Sequence, residues 1–362
     1  PESILMPFFK EIKNIKFIPL TNLKKKKMKK QIFYLLLLGL ILSGCSGGND
    51  FKVDVSDIEV QLDIKRLDQD LFQVNMDSIY EEIPAMQEKY GAFYEIYNRY
   101  VISIGNSNSK AYPDNLNAFL TDFMINKAYE AVQSKYPEIQ SIEEGLIRGF
   151  KHFRYYFPEK QIPAVYTYIG GYNQSIVVGD SILGIGLDKY LGRDYEFYDK
   201  LGFSNYLQKK MYKEKIPSDC LHSWAETEWV FNDSIDNVMT NMLYRGKLLY
   251  FTRAMFPRAH DTLITGFTGN ELQWVQANEQ QMWDYLIDKK LLYSTDYMTI
   301  NKLVNPAPFT SGFPEESPGQ AVNWLGWQII QAYMDQNSRI TLGELMEEDD
   351  YQMILTESRY HP

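Results

Sequence analysis

The sequence predicts an α+β fold for residues 51–362, a mostly helical single domain with a small sheet. Three observations carry this. Apolar residues recur at helical spacing over most of the length, the period drops to two in a few short places, and no repeat, low-complexity tract or linker interrupts the chain after Gly48. The chain is 45% hydrophobic and 15% aromatic, with 27 Tyr and 20 Phe, so it can bury a large core rich in phenol groups that need hydrogen-bond partners.

Each element has its own signal. Ile58, Val60, Leu62 and Ile64 alternate with Glu59, Gln61, Asp63 and Lys65, which predicts a half-buried strand. Leu116, Phe119, Leu120, Phe123, Ala128 and Ala131 recur at helical spacing as far as Pro137. The next helix is expected to open on a capping box at Ser141-Ile142-Glu143-Glu144 and to bury Leu146, Phe150, Phe153 and Phe157. Ala164–Ile169 reads as a strand and Gly170-Gly171 as a turn. Ser175–Val178 and Ser181–Leu187, joined through Gly179-Asp180, read as a tight hairpin. Helices resume at Ser218. One carries a stripe of Ile235, Met239, Met242, Leu243, Gly246, Leu249 and Tyr250 and ends at Pro257. A second carries Leu272, Val275, Met282 and Leu286. A third, capped by Ser317-Pro318-Gly319-Gln320, carries Val322, Leu325, Ile329, Ala332 and Tyr333.

The amino-terminal segment reads differently. Lys24–Lys27, Lys29 and Lys30 precede an apolar run from Ile32 to Leu42, and Leu42-Ser43-Gly44-Cys45 follows. Eleven apolar residues are too few to span a hydrocarbon core, which takes about 20. A buried core helix would need a polar face, and the run has none. Charge, apolar run and cysteine in this order resemble a bacterial lipoprotein signal peptide over residues 28–44, with Cys45 the site of lipid attachment. Residues 1–27 do not fit such a leader and read as an upstream, non-native segment, with Met28 the expected start; residues 45–50 read as a short linker. By resemblance to lipoprotein sorting, Ser46 after the cysteine points to the outer membrane. One acyl chain binds weakly, whereas two or three hold a protein stably.

Charge excludes one class of partner. Nine lysines and two glutamates fall in residues 1–44, so the remainder carries 28 basic and 45 acidic side chains, a net of −17. Such a field repels nucleic acid, which is not expected as a partner.

Catalytic signatures are sparse. The sequence has no G-x-S-x-G elbow, no phosphate-cradling glycine loop ahead of a helix and no H-E-x-x-H. It has four histidines: His152, His222, His260 and His361. The best metal candidates are His222 and Glu226, four apart and so on one helix face, with Glu228 reachable only through a bend. A zinc site needs three or four ligands, so no metal, no cofactor and no catalytic residue is expected. With Cys45 consumed by lipid, Cys220 stands alone, and two positions along a helix would separate it from His222. The acids Asp54, Asp57, Glu59, Asp63, Asp68 and Asp70 read as a solvated strand edge, and Glu347-Glu348-Asp349-Asp350 as a solvated turn. The loop holding Pro306, Pro308, Phe309 and Phe313, leading to Trp324 and Trp327, is constrained enough either to present a partner surface or to form a fixed lid over the core.

Taken in order, several segments resemble one family. They are the Cys45 motif, Asp68-Gln69-Asp70-Leu71-Phe72, Gly186-Leu187-Asp188-Lys189-Tyr190-Leu191-Gly192 and Gly246-Lys247-Leu248-Leu249-Tyr250. To these add Leu291-Leu292-Tyr293-Ser294, Asn305-Pro306-Ala307-Pro308-Phe309, Glu316-Ser317-Pro318-Gly319 and Gly326-Trp327-Gln328-Ile329. Together they resemble the gliding motility-associated lipoprotein family GldB of the Bacteroidota, across essentially the whole chain after Cys45. The resemblance implies an envelope lipoprotein needed for surface gliding where that occurs; the leading expectation is a non-enzymatic, lipid-anchored protein that supports a motility or secretion-type assembly by binding envelope partners. More distantly the hairpin followed by helices is similar to zincin-like metallopeptidases. Their metal motif is missing from 218–231, and Arg245 precedes Gly246 where an acid is expected. The resemblance therefore implies a peptidase-like shell used for binding. The alternatives are a divergent metal-dependent peptidase built on His222 and Glu226, or a small-ligand-binding envelope lipoprotein.

Overall fold

Alternation at residues 58–64 leaves Ile58, Val60, Leu62 and Ile64 half-buried and Glu59, Gln61 and Asp63 exposed in the structure, a computed structural model that describes residues 51–362. The leader, Cys45 and the proposed linker lie outside the described residues. Only the end of the alternating segment is a strand, β1 (Ile64–Arg66), because ladder pairing starts where Ile64 meets Val165. The other strands are β2 (Ala164–Tyr168), β3 (Ile176–Gly179) and β4 (Ile182–Gly186). Among the described residues they form one sheet in the order β1-β2-β4-β3. β2 runs parallel to β1 and β4, and β3 returns antiparallel to β4. The expected hairpin is present, with Asp180-Ser181 as its two-residue loop.

Strand periodicity divides the interior. Val165, Leu183 and Ile185 point into the larger core, whereas Tyr166, Tyr168, Val177 and Ile182 point into a smaller one with Phe93, Tyr94, Tyr97 and Tyr112. The sheet is thus the middle of three layers. Asp68, read above as solvated, is buried at its edge: it pairs with Arg66 at 2.7 Å and accepts from the Thr167 hydroxyl, and Arg66 also donates to the Tyr136 carbonyl at 3.0 Å. Asp70 is likewise engaged, by Lys89 and the Tyr90 hydroxyl.

Several helix boundaries differ from the sequence expectation, each for a local reason. The single helix expected up to Pro137 is two, Tyr112–Thr121 and Phe123–Lys135. Extended backbone at Asp122 ends the first, and the Asp122 carboxylate caps the second by accepting from Met124 N at 2.8 Å and Ile125 N at 3.0 Å. Phe123 is consequently 68% exposed rather than part of the apolar stripe. The helix Gln140–Tyr156 starts before Ser141, which caps nothing, although Leu146, Phe150 and Phe153 are buried as expected. Capping boxes occur instead at Asn237/Thr240, Thr268/Glu271 and Thr341/Glu344. The stripe Leu272 to Leu286 is split between Gly269–Ala277 and Glu279–Asp288. Ser317 caps no helix either: its hydroxyl accepts from Thr310 N at 3.3 Å, and the helix Ala321–Gln336 begins after Gln320 in a left-handed conformation, φ +58°.

The helix Val238–Met255 is central. Ile235 lies ahead of it and is 64% exposed, and 15 of its 18 residues are buried, so it has no single apolar stripe. It is covered on all sides, most extensively by Ala321–Gln336, where Gly246 lies directly on Gly326. A Cβ at Gly246 would stand 2.3 Å from the Gly326 carbonyl carbon, so the two backbones touch without side chains between them. Its one fully buried cation, Lys247, donates to the carbonyls of Met346 at 3.0 Å and Glu348 at 2.6 Å, at the end of the helix Leu342–Glu347. That placement meets the negative end of the helix dipole.

Candidate functional site

His222 and Glu226 lie on the helix Ile216–Glu228, which opens with Pro217 in its first turn. They share a face as the spacing requires, yet each is committed to a different neighbour. Glu226 pairs with Arg245 Nη1 at 3.3 Å. His222 Nδ1 lies 3.1 Å from Thr252 Oγ1, and that hydroxyl already donates to the Leu248 carbonyl at 2.7 Å. The network therefore assigns the proton to Nδ1, which donates to Thr252, and leaves a lone pair on Nε2. Glu228 turns away to Lys160, 2.7 Å distant. Cys220 is fully buried, and burial pushes its thiol well above the usual range.

Electrostatics at His222 oppose a metal ion. Burial, then the cations Lys215, Arg245 and Lys210, push the imidazole down to about 3. A neutral imidazole is a competent ligand, but those same cations repel a metal, and the carboxylate of Glu226 is occupied by a guanidinium. No group of three or more His, Cys, Asp or Glu side chains that would hold a metal ion occurs among the described residues.

A pocket of about 150 Å³ opens beside the imidazole, lined by Lys210, Lys215, Asp219, His222 and Arg245, the segment Ile264–Phe267, and Gln320, Asn323 and Trp324. Lys215 pairs with Asp219 at 2.5 Å, and the Tyr190 hydroxyl donates to the same carboxylate at 2.9 Å. Lys210 is different. Its neighbour Lys209 takes Glu271, and among the described residues no ion pair or side-chain hydrogen bond holds the Lys210 ammonium. Burial, then Lys215 and Lys209, lower it to about 8. Arg245 Nε and Asn323 Oδ1 are buried without a partner.

The proline loop is tied to the core by polar contacts. Thr310 Oγ1 donates to the Pro318 carbonyl at 2.7 Å and accepts from Ala321 N at 2.8 Å, while Asn323 Nδ2 donates to the Val304 carbonyl at 2.9 Å. Phe313, Trp324 and Trp327 are buried at 9%, 3% and 2% exposure, with Phe313 packed between Trp274 and Tyr285. These three residues therefore belong to the interior, and the surface expected of this loop reduces to Pro306, Pro308 and Phe309, which are exposed.

Sequence reasoning reached His222 and Arg245 but missed the pocket. Lys215 and Asp219 carry a legible signal, opposite charges four apart at a helix start. Lys210 carries none, since it lies on a short turn region and enters the site only through tertiary packing.

Comparison with known proteins gives one match: the family model described as gliding motility protein GldB covers residues 48–362. No curated protein and no solved structure matches the chain.

Proposed function

This chain belongs to the gliding motility protein GldB family, and from that premise we propose that it is held to the cell envelope by lipid on Cys45 and supports gliding, or an associated secretion assembly, by binding envelope partners rather than by catalysis. The observation that carries the reading is the family match from residue 48 to 362, which begins just past the Leu42-Ser43-Gly44-Cys45 motif. No helix among the described residues is long and apolar enough to cross a membrane, and the reading places the anchor ahead of them, as lipid on Cys45. Ser46, in place of Asp, directly after Cys45 supports placement at the outer membrane, with the domain facing the periplasm.

The commitment of Glu226 to Arg245 and the cations around His222 favour a binding role over a metallopeptidase role. A lipid-anchored domain needs only a shaped surface to act as a scaffold, and the exposed Pro306, Pro308 and Phe309 on their tied loop provide a rigid one.

The test is Cys45→Ala in the host envelope. The variant is expected to leave the membrane fraction, to lose labelling by palmitate and to fail to complement a deletion strain. Membrane retention of an unlabelled variant would show that another anchor operates, and palmitate label on the variant would remove Cys45 from the role.

A further inference from the structure

The pocket beside His222 concentrates positive charge in a protein that is otherwise strongly acidic. Three cations line it, Lys210, Lys215 and Arg245, against the single carboxylate of Asp219. The imidazole of His222 is neutral; Asp219 offsets Lys215, and Glu226, just outside the lining, offsets Arg245, so a surplus of about one positive charge remains, on Lys210. Only Lys215 is neutralised within the pocket, by Asp219. Arg245 spends Nη1 on Glu226 and leaves Nε buried and unpartnered. The Lys210 ammonium, held by no ion pair among the described residues, lies against the segment around Gly266.

We propose that this pocket is a binding site for a small oxyanion that keeps a hydrogen at neutral pH, of the hydrogen-phosphate class. Donors and charge converge from three separate elements: Lys210 and Lys215 from the segment ahead of the histidine helix, Arg245 from the central helix, and Gln320 and Asn323 from the start of the helix Ala321–Gln336. Ammonium and guanidinium groups form strong, charge-assisted hydrogen bonds to such an anion. An acceptor in the site selects the protonated form. His222 lines the pocket, and its Nδ1 is spent as a donor to Thr252, which leaves Nε2 as the acceptor. An O–H on the ligand satisfies a lone pair of this kind; sulfate and a carboxylate bring none. A volume of about 150 Å³ suits a single anionic group rather than a long ligand. Lys210, lowered to about 8 by burial and two neighbouring lysines, is the group that gains most when an anion arrives. This site goes beyond the anchoring role and does not depend on lipid at Cys45.

The experiment is isothermal titration of the purified full chain with sodium phosphate, sodium sulfate and sodium acetate at matched ionic strength, alongside thermal unfolding. Lys210→Gln and Lys210→Arg are the variants, because Lys210 holds no structural partner whose loss would unfold the protein. The parent is expected to take up one phosphate per chain and to melt higher in its presence, with sulfate and acetate binding more weakly. Lys210→Gln should weaken phosphate binding about 10- to 100-fold, the worth of one charge-assisted contact, while its ligand-free form unfolds no earlier than the parent. Lys210→Arg should retain most of the affinity. The proposal is overturned if phosphate at about 10 mM produces neither heat nor a thermal shift, if Lys210→Gln binds as tightly as the parent, or if sulfate and phosphate bind equally.

Discussion

Replacing Gly246 with Ala tests the packing on which the rest of the domain depends. The added methyl would stand 2.3 Å from the Gly326 carbonyl carbon and 2.5 Å from its oxygen, where ordinary contact begins near 3.4 Å. Both atoms are backbone of another helix, so no rotamer change relieves the clash, and the helices Val238–Met255 and Ala321–Gln336 must part by about 1 Å. Overpacking of this kind costs about 1 to 3 kcal/mol, and with rigid backbone on both sides the upper end applies. Ala in a helix interior returns about 1 kcal/mol relative to Gly, so the net loss is about 2 kcal/mol. Gly343→Ala is the control: its methyl would sit 3.8 Å from Phe157 Cε1, an ordinary contact, and the helical preference alone should leave the protein unchanged or stabilised by up to about 1 kcal/mol. Urea unfolding followed by tryptophan fluorescence measures both variants against the parent. With a denaturant slope of about 3 kcal/mol/M, the Gly246 variant should unfold roughly 0.7 M earlier. An unchanged midpoint for Gly246→Ala, or one that moves with the Gly343 control, would refute direct backbone contact between the two helices.

Two further outcomes follow from burial. His222 titrates near 6.5 when unfolded and is held down to about 3 in the fold, so the unfolded chain binds the extra proton and stability falls as pH drops below 6.5. Full linkage would cost about 2 kcal/mol at pH 5, and solvent screening of a half-buried ring reduces this to about 1 kcal/mol. His222→Gln should flatten that part of the urea midpoint's pH profile between 7 and 5, and parallel profiles for the two proteins would contradict it. In the proline loop, Phe313→Ala removes a ring packed against Trp274 and Tyr285 and should cost about 3 to 4 kcal/mol, whereas Phe309→Ala, at 36% exposure, should cost less than about 1 kcal/mol. Equal losses in chemical denaturation would mean that Phe309 is also core.

Local patterning was a sound guide both where one face of an element is buried, as in Gln140–Tyr156, and where both faces are covered, as in β2 and β4. The hairpin β3–β4, the strand β2 and the buried faces of Gln140–Tyr156 follow from patterns that neighbouring residues set among themselves. The same reasoning failed at Asp122, where extended backbone breaks the expected helix, and at Ser141 and Ser317, where neither helix has a side-chain cap and the backbone path fixes its start. It failed also for Asp68, which looked like one of a row of solvated acids until Arg66 and Thr167 closed around it.

Sequence alone determined the class of the domain, the apolar segments that must be buried, the lipoprotein-like order of charge, apolar run and Cys45, and the family resemblance. All of these are properties of residues close together in the chain. Tertiary structure alone decided that the helix Val238–Met255 is enclosed on every side, since a helix buried all round has no moment to reveal its partners. It also turned Phe313, Trp324 and Trp327 inward from the loop that seemed to display them. The cationic pocket belongs to the same class: Lys210, Arg245 and Asn323 are far apart in sequence, and their charges and unpaired donors and acceptors acquire meaning only when three helical segments bring them around one small volume.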